Sequence, residues 1–193
     1  MGLERALSAR VWPAELARLR AENARLHAVI RDMARLKDLV FRDALTGLRN
    51  RRYFEERMAE EIEHARIHGN GGCLVLLDLD DFKQINDRLG HLAGDEALRA
   101  TAALIEENVR LEDAVCRIGG DEFAVIMSQG DETDAGFLAA RLQSKFEQSR
   151  AVPGVSIGAA AWGPDTDDLR SLIDRADQAM YEQKAARKAA KAA

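Results

Sequence analysis

The sequence predicts an α/β (α+β) sandwich, with one central mixed β-sheet flanked by helices and a long helix ahead of it. Three observations lead there. After the N-terminal helix the chain reads helix, strand, helix, helix, hairpin, helix, strand, helix, an order that wraps helices around a single sheet. Residues 73–80, Cys-Leu-Val-Leu-Leu-Asp-Leu-Asp, hold an unbroken apolar run of the kind found in a strand buried on both faces. Residues 16–40 place apolar side chains at heptad spacing.

The 193 residues leave room for one full domain and a short appendage, and 47% apolar content is enough for a core. The formal net charge of −5 disfavours nonspecific binding to a nucleic-acid backbone. No apolar run is long enough to span a bilayer and no signal peptide is visible, so the expected setting is cytoplasmic, with neither nucleic acid nor membrane as a partner. Cys73 and Cys116 fall in strands at no metal-binding spacing and read as buried, reduced thiols.

Residues 1–41 form the first unit. Trp12-Pro13 interrupts a weakly patterned start, and Pro13 suits the first turn of a helix. From there Leu16, Asn23, Ile30 and Lys37 take one seam position of a heptad, and Leu19, Leu26, Met33 and Val40 take the other. A polar Asn at such a position costs stability but fixes register and favours two strands. A parallel homodimeric coiled coil is the functional reading; a single amphipathic helix packed on the domain is the alternative.

Residues 42–193 form the second unit. Arg51 to Ile67 reads as a helix with Phe54, Met58 and Ile62 on one face, closed by the glycines of residues 69–72. The buried strand follows, then a helix from about Asp81 to Leu89. Residues 90–94 read as a loop, with Asp95 capping a helix that continues to about Val109. Apolar runs at 114–116 and 123–127 flank a glycine-rich bend and predict a hairpin. Residues 134–149 are expected to be helical, 153–161 a strand and 167–188 a helix, ending in a basic, low-complexity tail.

Chemistry concentrates at that bend. In Arg117-Ile-Gly-Gly-Asp-Glu-Phe123 two glycines allow close approach to the backbone, and two carboxylates stand beside them. Asp78 ends the buried strand, where an unpaired carboxylate is costly. If strand and hairpin are neighbours, Asp78, Asp121 and Glu122 converge and a divalent cation relieves their repulsion. The plainer readings are an acidic turn for the bend and a helix cap for Asp78.

Residues 41–188 resemble the GGDEF family of diguanylate cyclases. The similarity is carried by Asp43-Ala-Leu-Thr-Gly-Leu-Arg-Asn-Arg51, by Asp78 to Asp87 with Gly90-His91 and Gly94-Asp95, by Gly119 to Phe123, by Val155-Ser-Ile-Gly158, and by Asp174 to Asp177 with Met180-Tyr181 and Lys184. The resemblance implies a catalytic domain that condenses two GTP into cyclic di-GMP, with Mg2+, or alternatively Mn2+, as cofactor. It implies Asp78, the Leu79 carbonyl, Asp121 and Glu122 as metal ligands, with Asp78, Asp121 and Glu122 catalytic and Asp121 as general base. Phe82, Lys83, Asn86, Asp95, Gly119, Gly120 and Lys184 are implied to bind substrate, and an Asp or Asn beside guanine suits its ring N–H and amino donors. Arg110 and Asp113 resemble the family's inhibitory Arg-x-x-Asp site for cyclic di-GMP, with Arg141 as a further contributor. His91 reads better as a structural histidine than as a base. An Asp stands at the third signature position, where many members have Glu. The tail lacks the family's usual Gly-Arg-Asn, leaving Arg187 and Lys188 in the place of its phosphate contacts. Regulation is expected from an upstream sensor domain or a partner. A GTP- or cyclic di-GMP-binding module without catalysis, a dimerisation scaffold and a different nucleotidyl cyclase are the rival readings.

Overall fold

The computed structural model describes residues 2–149, 151–166 and 168–192, with side chains omitted at 2–11, 13, 14, 34, 35 and 186–192. The chain divides into two compact units, Met1–Val40 and Phe41–Ala193. The first is one helix, α1 (Gly2–Val40). It passes Pro13 without a break, contrary to the interruption expected there; the preceding Leu-Glu-Arg-Ala-Leu segment is rich in strong helix formers. Its heptad seam is exposed along its length: Leu16, Leu19, Leu26, Ile30 and Met33 are 48–63% accessible.

The second unit contains β1 (Arg49–Asn50), α2 (Arg51–His68), β2 (Gly72–Leu79), α3 (Phe82–Leu89), α4 (His91–Glu106), β3 (Ala114–Arg117), β4 (Glu122–Met127), α5 (Glu132–Gln148), β5 (Val155–Trp162) and α6 (Leu169–Ala192). The sheet order is β1-β3-β4-β2-β5. β1 runs parallel to β3, and every other pairing is antiparallel, so the sheet is mixed as expected.

The alternation of a strand accounts for the two layers. On β2, Cys73, Val75, Leu77 and Leu79 enter one core with Leu98, Ala102 and Ile105 of α4 and Leu138, Leu142 and Phe146 of α5. Leu74 and Leu76 enter the other, with Phe54, Met58 and Ile62 of α2 and Leu172 and Ala176 of α6. β2 is thus apolar on both faces because helices cover both. Burial pushes the thiols of Cys73 and Cys116 up to about 11 and about 12, so both stay protonated and inert at neutral pH, as expected of core thiols.

Two elements differ from expectation. β1 is only two residues long, too short for an alternation pattern to reveal it. α4 begins at His91 rather than Asp95, because Gly90, at φ 85, closes α3 and opens α4 with no intervening loop. Asp95 therefore lies inside the helix and caps nothing.

Gly158 lets α6 lie directly on β5. A Cβ there would collide with the Ala176 carbonyl and the Met180 N–H, both backbone groups that cannot step aside. Gly158→Ala is expected to cost about 1–3 kcal/mol through overpacking. At roughly 2–4 °C per kcal/mol for a chain of this size, thermal denaturation followed by circular dichroism should show a clear fall in Tm. An unchanged Tm would mean that α6 is free to move off the sheet.

Candidate functional site

The register of β2 against β4 sets Asp78 opposite Glu122. Directly opposed residues share a sheet face, so the two carboxylates emerge together at one end of the sheet. The Leu79 N–H donates to the Asp121 carbonyl at 3.2 Å, which draws the bend over the end of β2. Burial raises Glu122 above the ordinary carboxylate range, and the charges of Asp78, Asp121 and Asp177 push it further. Lys184 reaches in from α6, with its Nζ 2.5 Å from Asp78 Oδ1. That bond raises the lysine, and Asp80 and Asp121 add to the effect. Excess negative charge thus gathers where the sequence placed it, and a cationic group is already drawn in.

Among the described residues, no three His, Cys, Asp or Glu side chains are grouped closely enough to enclose a metal ion. Asp78, Asp121 and Glu122 share one end of the sheet without forming a cage. Asp78 is held by Lys184, and the Glu122 carboxylate folds back into the space that a Cβ on Gly119 would fill.

The bend has its own support. Ile118 N–H closes onto the Glu122 carbonyl at 3.0 Å. Arg117 donates to the Gly120 carbonyl through Nη2 at 2.7 Å and pairs with Asp43 through Nη1 at 3.1 Å. Asp43 also accepts from the Thr46 hydroxyl at 2.7 Å and the Thr46 N–H at 2.9 Å. Burial works to raise Asp43, but these bonds and the Arg117 charge hold it below the usual range. Asp43 and Arg117 thus fix the signature bend from the start of the domain. Both residues lie in the sequence motifs, whose local pattern carries no sign of this role. Asp80 was likewise missed: it accepts from the Ser156 hydroxyl at 2.7 Å and so ties the end of β2 to β5.

Beside this end stand α3 and α4. Asp81 takes a left-handed backbone at φ 58, a bend that Asp tolerates better than most residues, and α3 starts at once. The Asn86 carboxamide lies where a Cβ on Gly94 would go, with the Phe82 ring next to it. Gly94 therefore brings Asn86 up to the α4 backbone immediately before Asp95. Phe82 packs its ring on the core, so its backbone is what it can offer a ligand. Lys83 is exposed in the first turn of α3. His91 is exposed at the start of α4. The side chains of Arg187 and Lys188 lie outside the described residues.

A cleft of about 510 Å3 opens between α2 and α6 beside the hairpin. Phe54, Leu76, Ile118 and Ile173 line it, with Arg51, Glu122 and Asp177 at its rim.

Arg110 and Asp113 lie at the opposite end of β3 from the signature. Four residues of strand separate them from it, roughly 13 Å of chain at 3.3 Å per residue. Asp113 Oδ2 accepts from the Arg110 N–H at 2.9 Å, and Asp113 N–H donates back to the Arg110 carbonyl at 3.1 Å. The Arg110 guanidinium is half-exposed, 3.6 Å from Asp134. Arg141 donates to the Asn108 carbonyl at 2.7 Å, which brings it to the same corner. Burial raises Asp113 against the opposing pull of the Arg110 N–H.

Residues 40–190 match the family described as diguanylate cyclase, GGDEF domain. The chain belongs to the GGDEF family. It is 37% identical over 157 residues to the response regulator PleD of Caulobacter vibrioides, covering 77% of this chain and 35% of PleD. It is 34% identical over 175 residues to NbdA of Pseudomonas aeruginosa, named a cyclic di-GMP phosphodiesterase, covering 86% of this chain and 22% of NbdA. The chain therefore spans about a fifth to a third of the length of these curated relatives. Among solved structures it is similar to the coiled coil and GGDEF domain of DgcB from Caulobacter crescentus in complex with c-di-GMP. That likeness has a TM-score of 0.74 at 27% identity and covers 88% of this chain and 94% of that one. Among the described residues, no helix of this GGDEF protein is long and apolar enough to cross a membrane.

Proposed function

We propose that this GGDEF protein is a diguanylate cyclase that condenses two GTP into cyclic di-GMP and two pyrophosphates. The observation that carries the reading is the register that sets Asp78 opposite Glu122, with the Asp121 bend drawn onto the Leu79 N–H and the signature intact. In each half-reaction a ribose 3′-oxygen attacks an α-phosphorus. One P–O bond forms, the bond to the β-phosphate breaks, pyrophosphate leaves, and the 3′-hydroxyl proton is given up.

The donor set fits a hard divalent cation. Mg2+ typically takes one or two carboxylates and completes its shell with water and substrate phosphates rather than an all-protein cage, and burial together with the charges of Asp78, Asp121 and Asp177, which raises Glu122, is consistent with a site that favours a cation. Asp78, the Leu79 carbonyl, Asp121 and Glu122 would hold such an ion, Mg2+ or Mn2+. When bound, it supplies Lewis-acid polarisation of the phosphate and a more acidic hydroxyl.

The protein's own groups do the rest. Asp121 stands at the tip of the bend as the acceptor for the 3′-hydroxyl proton. Asp95 can accept from guanine N1–H and the 2-amino group, a donor pair that adenine lacks, while the Asn86 amide offers both donor and acceptor. Lys83 and Lys184 supply positive charge to the phosphates, the open space beside Gly120 leaves room for them, and the Glu122 carboxylate takes the space beside Gly119. One domain holds one GTP, so two domains must face each other, and the exposed seam of α1 is the means of pairing them.

Purified chain given GTP and Mg2+, with products separated by chromatography, should yield cyclic di-GMP and pyrophosphate. GTP binding without product would establish a binding module instead, and equal use of ATP would remove the guanine assignment.

Arg110, Asp113 and Arg141 form the site at which cyclic di-GMP inhibits. A guanidinium can grip guanine or phosphate in two parallel bonds. A charge-assisted bond is worth about 1.5–3 kcal/mol, so Arg110→Ala should weaken product inhibition by about 10- to 100-fold while initial rates persist. Progress curves with added cyclic di-GMP would show it; unaltered inhibition would place the product elsewhere.

A further inference from the structure

Two histidines outside the candidate site stand on consecutive turns of α2. His64 and His68 are four residues apart, which puts them on one face of the helix. Both are exposed, with ring centroids 4.2 Å apart and ring planes inclined by 44°. The neighbouring Ile62 and Ala65 are buried in the core beneath the sheet, so the helix that carries the pair is firmly seated. Among the described residues, no hydrogen bond or ion pair holds either ring to another side chain, so their ring nitrogens are open to a ligand.

Imidazoles four apart on a helix can converge on a single metal ion, as they do in helical zinc motifs. Neutral imidazole suits zinc, nickel and copper dications, whereas magnesium prefers oxygen ligands. We infer that His64 and His68 form a two-point site for a transition-metal dication of the zinc class. Among the described residues, no third His, Cys, Asp or Glu completes a cluster around them, so water or another molecule fills the remaining positions and the site stays open. The pair bridges the final two turns of α2. Beyond them Gly69 ends the helix in a left-handed cap, and the chain enters β2, the strand that carries Asp78. A chelate across those turns is made only when they are helical, so binding stabilises the native state by mass action.

The test uses the whole chain without nucleotide, titrated with Zn2+ or Ni2+ by calorimetry and equilibrium dialysis. About one ion per chain is expected at this site. His64→Gln and His68→Gln should each weaken binding at least tenfold, since losing even a supporting partner of a metal ligand costs about 10- to 100-fold. Ni2+ should raise the thermal midpoint of the unaltered chain and not that of either variant. Asp78→Asn should bind the ion as before, which separates this site from the catalytic proposal. A chain with both histidines replaced that binds as tightly as the original would overturn the inference.

Discussion

Asp78→Asn should leave a folded protein whose cyclic di-GMP synthesis has fallen by about 10³-fold or more. Removing a single preorganised electrostatic group from a reacting centre commonly costs about 10²–10³ in turnover, and under the proposed function Asp78 is a cation ligand as well. The variant keeps the shape of the side chain, and Asp78 is only part-buried, so the sheet has no reason to fail. Its loss frees Lys184, whose ammonium is pulled to Asp78 and raised by it. Lys184→Ala separates the two roles. If the lysine serves the phosphates, that variant should bind GTP more weakly. If it only balances Asp78, GTP binding should survive. Quantified product with a matched thermal melt decides the matter. Turnover within tenfold of the unaltered chain, in a protein of unchanged Tm, would end the catalytic assignment of Asp78.

Much of this site was legible in the sequence because its strands are buried on both faces. The apolar runs ending at Asp78 and starting at Phe123 allow little but central strands, and the register then brings Asp78 to Glu122. Their pairing, however, depends on order within the sheet, which no local pattern encodes. The same limit hid the tie between Arg117 and Asp43, 74 residues apart, and the bond from Lys184 to Asp78, 106 residues apart. For Lys184, the family resemblance supplied the position and the structure supplied the partner. Asp95 misled as a cap because Asp is a strong capping residue, whereas Gly90 had already turned the chain into α4. The contact of Asn86 with Gly94 was illegible for a different reason: it depends on the absence of a side chain.

Removing residues 1–40 should make synthesis depend on the concentration of protein. The α1 helix has 39 residues, roughly 58 Å at 1.5 Å per residue. Along it the seam Leu16, Leu19, Leu26, Ile30 and Met33 stands about half-exposed or more. A single chain gains nothing from that stripe, whereas two paired chains would bury it, and an Asn within such a stripe favours an aligned pair. Such pairing would hold one domain near the other at an effective concentration on the order of 1 mM. At about 1 µM protein, a chain lacking α1 should therefore lose about 10³-fold in rate per molecule, and its rate per molecule should rise in proportion to protein added. The truncated unit retains Phe41, which is buried and packs edge-on against Tyr53 with ring centroids 5.8 Å apart, together with both cores of the sheet, so it has the means to stay folded. Fusing an unrelated parallel two-stranded coiled coil in the same heptad phase should restore the rate at low concentration, which assigns the defect to pairing rather than to damage. If the truncated chain works at full rate per molecule at nanomolar concentration, the two half-sites meet by a surface of the GGDEF domain itself, and α1 is there to receive a signal or a partner.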